Sequence, residues 1–356
     1  KTSSHGNTRR FRLSSRLSGA TSHKVLPRKM TTALSLSFAA SHGAPVLSGR
    51  RTVRSRAPSR VVRASVEIEP GSEPPAPAPI VVFGAGGKTG KRCVQVAAAS
   101  GIPVIACTRS GAWNPTDVAL TADEKSLVTS KPGDVSKANA GELMSLLNGA
   151  GSCIFAASAS PSGGSPQDVD KAGLVAVARA CIAANVPRLV IVSSGSVSKP
   201  LSPVYIFLNL FGGIMRAKIE GEDAVRSLYF KREGLDYVVV RPGGLSEDEP
   251  RGVGAVELNQ GDDKSGRIAR ADVAAICVEA AVGSNECVGN ATFECYWKDS
   301  AKSLETVGFS NMMGGTNQDG DYVSGKERQG STWKELFAGL AADAPGVAQQ
   351  GEGPSL

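Results

Sequence analysis

The sequence predicts an α/β fold, a doubly wound parallel sheet with a small C-terminal part. From residue 80 onward, apolar runs of strand length alternate with stretches of helix length, and this alternation is typical of a parallel sheet with helices on both faces. The runs are apolar throughout instead of alternating with polar residues, which indicates strands buried on both sides. The strand-like runs are 80–83, 104–107, 153–157, 189–192 and 237–240, and the helix-like stretches are 91–100, 141–147, 169–184 and 216–229.

A glycine-rich turn joins the first strand to the first helix. Residues 84–90 read Gly-Ala-Gly-Gly-Lys-Thr-Gly, and a glycine cluster in this context predicts a dinucleotide-binding turn. Gly84 allows the tight bend, and Gly90 lets the helix pack close to the strand. Gly86 or Gly87 lets a pyrophosphate approach the backbone, next to the free N–H groups of the helix N-terminus. The alternative is an ordinary glycine-rich turn. The predicted cofactor contacts in this turn are Gly84, Gly86, Gly87, Lys88, Thr89 and Gly90.

A P-loop for nucleoside triphosphates is excluded by spacing. That motif needs a glycine five positions before the glycine that precedes its lysine. Counting back in this way from Lys88 reaches Val82, and counting back from Lys91 reaches Ala85. The turn therefore predicts a dinucleotide and not a nucleoside triphosphate.

The end of the second strand predicts NADP as the cofactor. In dinucleotide folds an acidic residue at this place binds the free 2′-hydroxyl of NAD, whereas an arginine accommodates the 2′-phosphate of NADP. The strand ends in Thr108-Arg109 with no acid, so we expect Arg109 to bind the 2′-phosphate through a planar, bidentate contact. The alternatives are a solvated arginine and a contribution of Lys88 to the same phosphate.

Two more positions complete the predicted cofactor site. Asp134 follows the presumed third strand, where its carboxylate either accepts from the adenine amino group or serves as a turn or N-cap residue. Ala157 ends the next apolar run, and its small side chain leaves room for the cofactor. A loop rich in serine, glycine and proline, 160–166, follows at the expected nicotinamide end.

Several segments carry a resemblance to a known family. They are 84–90, 108–109, 133–135, 192–194, Lys218 with 221–222, 237–245 and 270–274. Together they resemble an atypical short-chain dehydrogenase/reductase, a plastid NAD(P)-binding Rossmann protein related to the Tic62 type. The resemblance covers about residues 79–297, and Arg-Pro-Gly-Gly-Leu at 241–245 is its most specific segment. It implies an NADP-binding Rossmann core with a small substrate-facing C-terminal part.

The resemblance also implies a catalytic serine, tyrosine and lysine. In that arrangement the lysine lowers the tyrosine pKa and holds the ribose, while the serine orients the carbonyl oxygen of the substrate. Ser193 or Ser194 matches the serine, and Lys218 matches the lysine, but Ile214 stands where the tyrosine is expected. Tyr205 lies 13 residues before Lys218, so it is not the helical partner of the lysine, and its entry into the pocket from a loop is a further alternative. A catalytic serine–lysine pair, ribose binding by Lys218 alone, and protonation by water or substrate all remain open.

Two apolar stretches have more than one interpretation. Residues 204–215 line a hydrophobic substrate pocket, form a lid hinged at 212–213, or pack in the core. Near the C-terminus, residues 332–335 read Thr-Trp-Lys-Glu, a capping box. Trp333, Leu336, Phe337 and Leu340 then fall on one helix face. This face either docks on the core or binds a protein partner.

The first 64 residues predict an organelle transit peptide. They contain 14 Lys/Arg and no Asp or Glu, a composition typical of such peptides. Val-Arg-Ala-Ser at 62–65 resembles a stromal processing site, so we expect the chloroplast stroma, with removal near Ala64. A mitochondrial presequence and a basic disordered tail are the alternatives. Residues 65–79 contain five prolines and predict an extended linker.

Composition excludes several classes of function. From residue 65 onward, 26 Lys/Arg stand against 33 Asp/Glu, so the net charge of this part is −7 and gives no reason to expect a nucleic-acid partner. The three histidines all lie in the leader, which excludes a His-dependent catalytic triad or a His-ligated metal in the body. The seven cysteines form no CxxC pair and predict small buried hydrophobes. No apolar run reaches the about 20 residues that span a bilayer.

These observations predict an NADP(H)-binding oxidoreductase of the plastid that acts on a small, unidentified carbonyl or enone substrate. The alternative is a non-catalytic NADP(H)-dependent redox sensor or assembly factor. We expect the Rossmann domain at 80–297, a C-terminal extension with one amphipathic helix at 298–343, and a disordered tail at 344–356.

Overall fold

The computed structural model describes residues 77–161, 163–283, 287–304 and 323–344. The predicted leader, most of the predicted linker and the predicted tail beyond residue 344 therefore lie outside the described residues.

The described residues form thirteen strands, most of them in one central sheet. Each of the five apolar runs that the sequence indicates contains a strand, but the buried seven-residue strand Ala291–Trp297 is not among those runs, and several shorter strands are more polar. The strands are β1 (Ile80–Phe83), β2 (Val104–Thr108), β3 (Val128–Pro132), β4 (Ser152–Phe155), β5 (Arg188–Val192), β6 (Asp236–Pro242), β7 (Gly244–Ser246), β8 (Val256–Asn259), β9 (Lys264–Ser265), β10 (Arg267–Ala269), β11 (Ala291–Trp297), β12 (Lys302–Ser303) and β13 (Arg328–Gln329).

The central sheet has nine strands in the order β13-β8-β11-β6-β5-β4-β1-β2-β3. The pairings from β3 through β11 are all parallel, whereas β8 and β13 extend one edge through antiparallel pairings. The short strands form two separate pairs, β7 with β10 and β9 with β12. The predicted doubly wound parallel sheet is confirmed.

The order of the strands reverses at β1, which lies between β2 and β4. The chain builds one half of the sheet outward from β1 to β3 and then returns to build the other half from β4. Open α/β sheets bind ligands in the crevice outside the carboxyl ends of the strands at such a switch point. The glycine-rich turn leaves β1 at this place.

Helices cover both faces of the sheet. A π-helical turn, Gln167–Gly173, leads into the fourth of them. The helices are α1 (Gly90–Ala99), α2 (Ala122–Ser126), α3 (Ala140–Leu147), α4 (Leu174–Ala183), α5 (Pro203–Asn209), α6 (Ile214–Tyr229), α7 (Arg270–Val282) and α8 (Trp333–Phe337).

The apolar strands are apolar on both sides because each side faces a different core. In β1, Ile80 and Val82 belong to the core that includes residues of α1 and α7. Val81 and Phe83 belong to the core that includes residues of α3, α4 and α6. All four side chains are fully buried. The seven cysteines are also buried and free, and burial raises the pKa of Cys107 to about 12.

The apolar pattern misses the strands at the sheet edges. The edge strand β3 has no buried residue, because it has a neighbour on one side only, and its sequence Val-Thr-Ser-Lys-Pro reads as polar. β8 and β13 contain Glu257 and Arg328, whose charged side chains hide a strand pattern. Burial of a charge is tolerated only when it is paired, and Glu257 accepts from Lys264 at 3.0 Å.

The C-terminal helix α8 docks on the core, which is one of the two alternatives for its apolar face. Leu336, Phe337 and Leu340 are buried in the core that also holds α1 and α7, and Trp333 stacks on Phe337 with ring centroids 6.1 Å apart. The predicted capping box is present, since Thr332 accepts from the Glu335 amide and the Glu335 carboxylate accepts in return. The core therefore covers the apolar face of α8, which is not available to a protein partner.

Candidate cofactor site

Two glycines of the turn are required by the packing of the chain itself. Gly84 has a φ of 76°, and a Cβ on it would lie 2.5 Å from the backbone nitrogen of Ala157. A Cβ on Gly90 would lie 2.2 Å from the carbonyl oxygen of Gly84. Any side chain at either position displaces backbone, so the turn presses α1 against β1 and against the end of β4.

The remaining glycines leave the outer side of the turn open. A Cβ on Gly86 would meet only Thr108 Cγ2 at 3.7 Å, and one on Gly87 would meet the Gly84 carbonyl at 3.1 Å. Within the described residues, the backbone N–H groups of Lys88 and Thr89 donate to no protein acceptor. Free amides at the start of a ten-residue helix, beside glycines without side chains, form a cradle that fits a pyrophosphate.

The glycines that bear on this cradle are spaced three apart, at 84, 87 and 90. The turn therefore has the spacing GxxGxxG, with Gly86 as an extra opening beside the middle glycine. Trp113 holds the turn from outside, because its indole Nε1 donates to the Ala85 carbonyl at 2.9 Å. The sequence offered no pattern that pairs Trp113 with a residue 28 positions away.

Arg109 lies at the carboxyl end of β2 with an exposed side chain. Its guanidinium extends toward the loop that follows β4, since a Cβ on Gly163 would lie 3.0 Å from Arg109 Nη1. Lys88 points elsewhere: its ammonium lies 3.8 Å from Glu247 Oε1, and Arg270 donates to the same oxygen at 2.7 Å. Of the two cations predicted near the 2′-phosphate, only Arg109 lies at the end of β2.

Asp134 has the turn role in this structure. Its Oδ1 accepts from the Ser136 amide at 3.1 Å and from the Ser136 hydroxyl at 2.7 Å. Its carbonyl accepts from the Ala138 amide at 2.8 Å. These bonds engage one carboxylate oxygen and shape the start of the loop after β3. Ala157, by contrast, lies directly against the glycine turn, because its backbone nitrogen is the atom that a Gly84 Cβ would strike.

Lys218 pairs with a buried carboxylate, Asp170, at 2.8 Å. Asp170 Oδ1 also accepts from the Ser158 hydroxyl at 2.7 Å, and Oδ2 accepts from the Ala159 amide at 2.8 Å. Through Asp170, the α6 lysine thus fixes the segment just after Ala157. Asp170 lies in the π-helical turn, and no sequence motif identifies it as a site residue.

Ser193 is buried and donates its hydroxyl to Glu222. The other carboxylate oxygen of Glu222 accepts from Arg241 at 2.6 Å and from Arg226 at 2.9 Å. Burial alone raises the pKa of Glu222, but the two arginines and the Ser193 hydroxyl lower it overall to about 2. Glu222 is therefore a fixed anion, and the Ser193 hydroxyl is committed to it.

Ser194 is the more accessible of the two candidate serines. Its side chain is half-buried, and its hydroxyl donates to the Gly195 carbonyl at 3.1 Å. Asp262 anchors the loop that follows Ser194, because its carboxylate accepts from the Ser196 amide at 2.6 Å and from the Ser198 amide at 2.9 Å. The end of β5 thus presents Ser194 on a rigid loop.

Ile214 occupies the position four residues before Lys218, where the tyrosine is expected. Ile214 packs with Met215 and Tyr205 in a small apolar cluster. Burial raises the pKa of Tyr205, and its charged neighbours are Arg216 and Glu220. A small cavity beside Lys218 is lined by Phe155, Asp170, Leu174, Ile191, Val192, Ser193 and Glu222, and it has room for about one water molecule.

Two of the segments that carry the family resemblance, 237–245 and 270–274, contain buried side chains that stabilise the fold. Arg241 pairs with Glu222 in the interior. In the segment 270–274, Asp272 accepts from the amides of Arg251 and Gly252 at 3.0 and 2.9 Å and from the Trp297 indole at 2.8 Å. Neither side chain reaches the glycine turn.

The Rossmann-type fold and the glycine cradle define a dinucleotide-binding protein. The chain belongs to the NAD(P)H-binding family, which matches residues 84–282. The match begins at Gly84 and ends at the last residue of α7. In the described residues, no helix combines the length and the apolar content that crossing a membrane requires.

The chain is similar in sequence to two plant proteins and shares its fold with a solved bacterial structure. It is 33% identical over 212 residues to an uncharacterized chloroplastic protein of Arabidopsis thaliana, covering 56% of this chain and 71% of that protein. It is 46% identical over 67 residues to the chloroplastic protein High Chlorophyll Fluorescence Phenotype 173 of the same plant, which is 19% of this chain but only 10% of that protein. The oxidoreductase ylbE of Lactococcus lactis shares the fold, with a TM-score of 0.50, 20% identity, and coverage of 64% of this chain and 93% of that one.

Proposed function

We propose that this protein is a plastid oxidoreductase that uses NADP(H) to reduce a small carbonyl or enone. The observation that carries the proposal is the pairing of an open GxxGxxG cradle with an arginine, and no acid, at the end of β2. The family match supports a nicotinamide cofactor, and Arg109 supports the choice of NADP over NAD.

The cofactor, when bound, supplies the hydride. In our proposal the amides of Lys88 and Thr89 bind the pyrophosphate, and Arg109 binds the 2′-phosphate. Gly86 and Gly87 provide the space for close approach. Ser136 bonds only to Oδ1 of Asp134, and we propose that Oδ2 accepts a hydrogen bond from the adenine amino group. Ala157 borders the cofactor beyond the turn.

At the other end of the site, we assign different roles to the three predicted catalytic residues. Ser194 is proposed to orient the carbonyl oxygen of the substrate, because its half-buried hydroxyl lies on the loop that leaves β5. Ser193 and Lys218 are proposed as positioning residues, because each is committed to a buried carboxylate. With Ile214 in place of tyrosine, we propose that water or the substrate supplies the proton.

A turnover screen tests this proposal. We expect the protein to oxidise NADPH in the presence of at least one member of a panel of carbonyls, enones and quinones. Ser194→Ala should lower the turnover rate while leaving the Kd for NADP unchanged, with Ser227→Ala on the exposed side of α6 as the matched control. NADP binding without any turnover across the panel would contradict the proposal and support a non-catalytic redox sensor or assembly factor.

We also propose plastid import with cleavage near Ala64 and a relation to the Tic62 type. The two chloroplastic relatives support the compartment, and the acid-free, basic leader supports a transit peptide. Import of the full chain into isolated chloroplasts, followed by N-terminal sequencing, should give a stromal product that begins close to Ser65. A product of full length, or one found only in mitochondria, would contradict this proposal.

A further inference from the structure

The short helix α5 and its flanks carry an unusual concentration of exposed apolar side chains. Of the nine large hydrophobic residues that are exposed in the described residues, four lie within the eleven residues 201–211. They are Leu201 (74% exposed), Ile206 (53%), Leu210 (75%) and Phe211 (62%), and we call them the α5 patch. Exposed apolar groups scattered singly are ordinary, but a cluster marks a surface that something else covers.

The α5 patch is not a by-product of an unanchored loop. On its inner side, Tyr205 and Leu208 pack against the buried cluster of Val197, Met215 and Ile219. The helix N-terminus is capped by Ser202, which accepts from the Tyr205 amide at 3.1 Å. The helix is therefore apolar on both the buried and the exposed side, and its sequence, Pro-Val-Tyr-Ile-Phe-Leu-Asn, contains no charge.

The C-terminal end of the patch is also fixed. Phe211 packs edge-on against Phe207, with centroids 5.5 Å apart. The chain then turns through Gly212 and Gly213, both at positive φ, and Asn209 Oδ1 accepts from the Arg216 amide at 3.2 Å. The side chains of Leu210 and Phe211 are thus presented outward by a built corner between α5 and α6.

The size and charge of the surroundings decide what covers this surface. Four partly exposed side chains fall short of the about 800 Å² that each partner contributes to a stable protein interface. An exposed cation, Lys199, lies just before the patch, whereas the Arg216 side chain after it is 72% exposed but pairs with Glu220 at 2.8 Å. A small apolar projection beside an exposed cation has the chemistry of a peripheral membrane anchor, with apolar groups below the headgroups and the cation beside anionic lipids.

We propose that the α5 patch docks the protein on an anionic lipid bilayer, by insertion of these four side chains at the headgroup boundary. This docking is independent of the proposed oxidoreductase activity. It also places lipid beside the loop after β4, because a Cβ on Gly212 would lie 3.4 Å from Cγ of Pro166 in that loop.

Flotation of the full chain with phosphatidylcholine/phosphatidylglycerol vesicles tests the proposal. We expect Leu210→Ser/Phe211→Ser to lower the vesicle affinity by roughly tenfold or more, because two exposed apolar side chains are lost from the bilayer contact. The control Val323→Ser removes an equally exposed side chain (73%) outside the patch and should leave the affinity unchanged. All three proteins keep the same basic leader, so its own attraction to anionic lipid cancels in the comparison.

A second measurement reports insertion directly. In Ile206→Trp, the added indole fluorescence should shift to the blue with vesicles and be quenched by brominated lipid, whereas Val323→Trp should show neither change. Equal flotation of the wild type and the double variant, or no lipid-dependent change at Trp introduced at 206, would overturn the proposal. A wild-type dimer that the double variant converts to a monomer would also overturn it, since a second copy would then cover the patch.

Discussion

Arg241 and Glu222 form an ion pair that is almost completely removed from solvent, with 2.6 Å between Nη2 and Oε2 and each side chain 1% exposed. Glu222 also accepts from Arg226 and from the hydroxyl of Ser193. The pair therefore joins the most family-specific arginine of the sequence to the strand end that carries the proposed substrate-facing loop. The pair keeps Glu222 ionised and holds Glu222 and Arg241 in place in the interior.

Breaking this pair should be costly. A buried ion pair that loses one partner leaves an uncompensated charge, which typically costs about 3–5 kcal/mol. We therefore expect Arg241→Met to lower the free energy of unfolding by several kcal/mol in urea denaturation. The exposed cation Lys326, 3.7 Å from Asp263, serves as the control, and Lys326→Ala should cost less than about 1 kcal/mol. Similar losses in the two variants would show that the interior pair has no special weight.

A second buried carboxylate should make stability fall with rising pH. Burial and the nearby Asp262 charge raise the pKa of Glu294 from 4.5 to about 8. The folded state binds the Glu294 proton more tightly than the unfolded state does. The contribution of this proton to the free energy of unfolding is therefore fully present below about pH 4.5 and is lost as the pH rises through 8. We expect the free energy of unfolding to fall between pH 5 and pH 8 by a few kcal/mol more in the wild type than in Glu294→Gln. Equal pH slopes in the two proteins would contradict the raised pKa.

The glycine turn makes a sharper prediction about backbone packing. Gly84→Ala should abolish NADP binding and destabilise the fold, because its Cβ would lie 2.5 Å from the Ala157 nitrogen. Gly101 is the matched control, since its φ of 73° is nearly the same but nothing lies within 4 Å of its Cβ position. Gly101→Ala should therefore show only the cost of positive φ, about 1–2 kcal/mol, with the Kd for NADP unchanged. If both variants behaved alike, the contact with Ala157 would not be the cause.

Asp170 should act on the cofactor without touching it. Its carboxylate holds Lys218, Ser158 and the Ala159 amide, and Ala157 next to them borders the glycine turn. Asp170→Asn should raise the calorimetric Kd for NADP by roughly tenfold, the equivalent of about 1.4 kcal/mol. Asp168→Asn, which alters an exposed carboxylate bonded to Ser165, should leave the Kd unchanged. A Kd that is insensitive to Asp170→Asn would leave Lys218 without a positioning role.

The features that the sequence predicts well are local. The β1 strand, the glycine turn and the start of α1 follow one another within twenty residues, so the composition of one short segment contains the whole motif. The capping box from Thr332 to Glu335 is equally local. Apolar β5 and β6 are recognisable because the sheet buries both of their sides.

The features that it misses depend on distant pairs. Arg226 meets Asp343 across 117 positions, and Trp113 meets Ala85 across 28; no spacing rule connects them. Asp170 is recognisable as a site residue only in the structure, where α6 places Lys218 2.8 Å from its carboxylate. The roles of Ser193 and Lys218 could likewise not be separated from that of Ser194 until burial and partners were known.

The most direct test of the proposed NADP site is a pair of calorimetric titrations, with NADP and with NAD, on the wild type and on Arg109→Ala. We expect the wild type to bind NADP more tightly than NAD. Arg109→Ala should weaken NADP binding by about 10–100-fold, the range for loss of one charged hydrogen-bonded contact, and change NAD binding by no more than about twofold. Tighter binding of NAD by the wild type, or an equal loss for both dinucleotides in Arg109→Ala, would contradict the assignment of Arg109 to the 2′-phosphate.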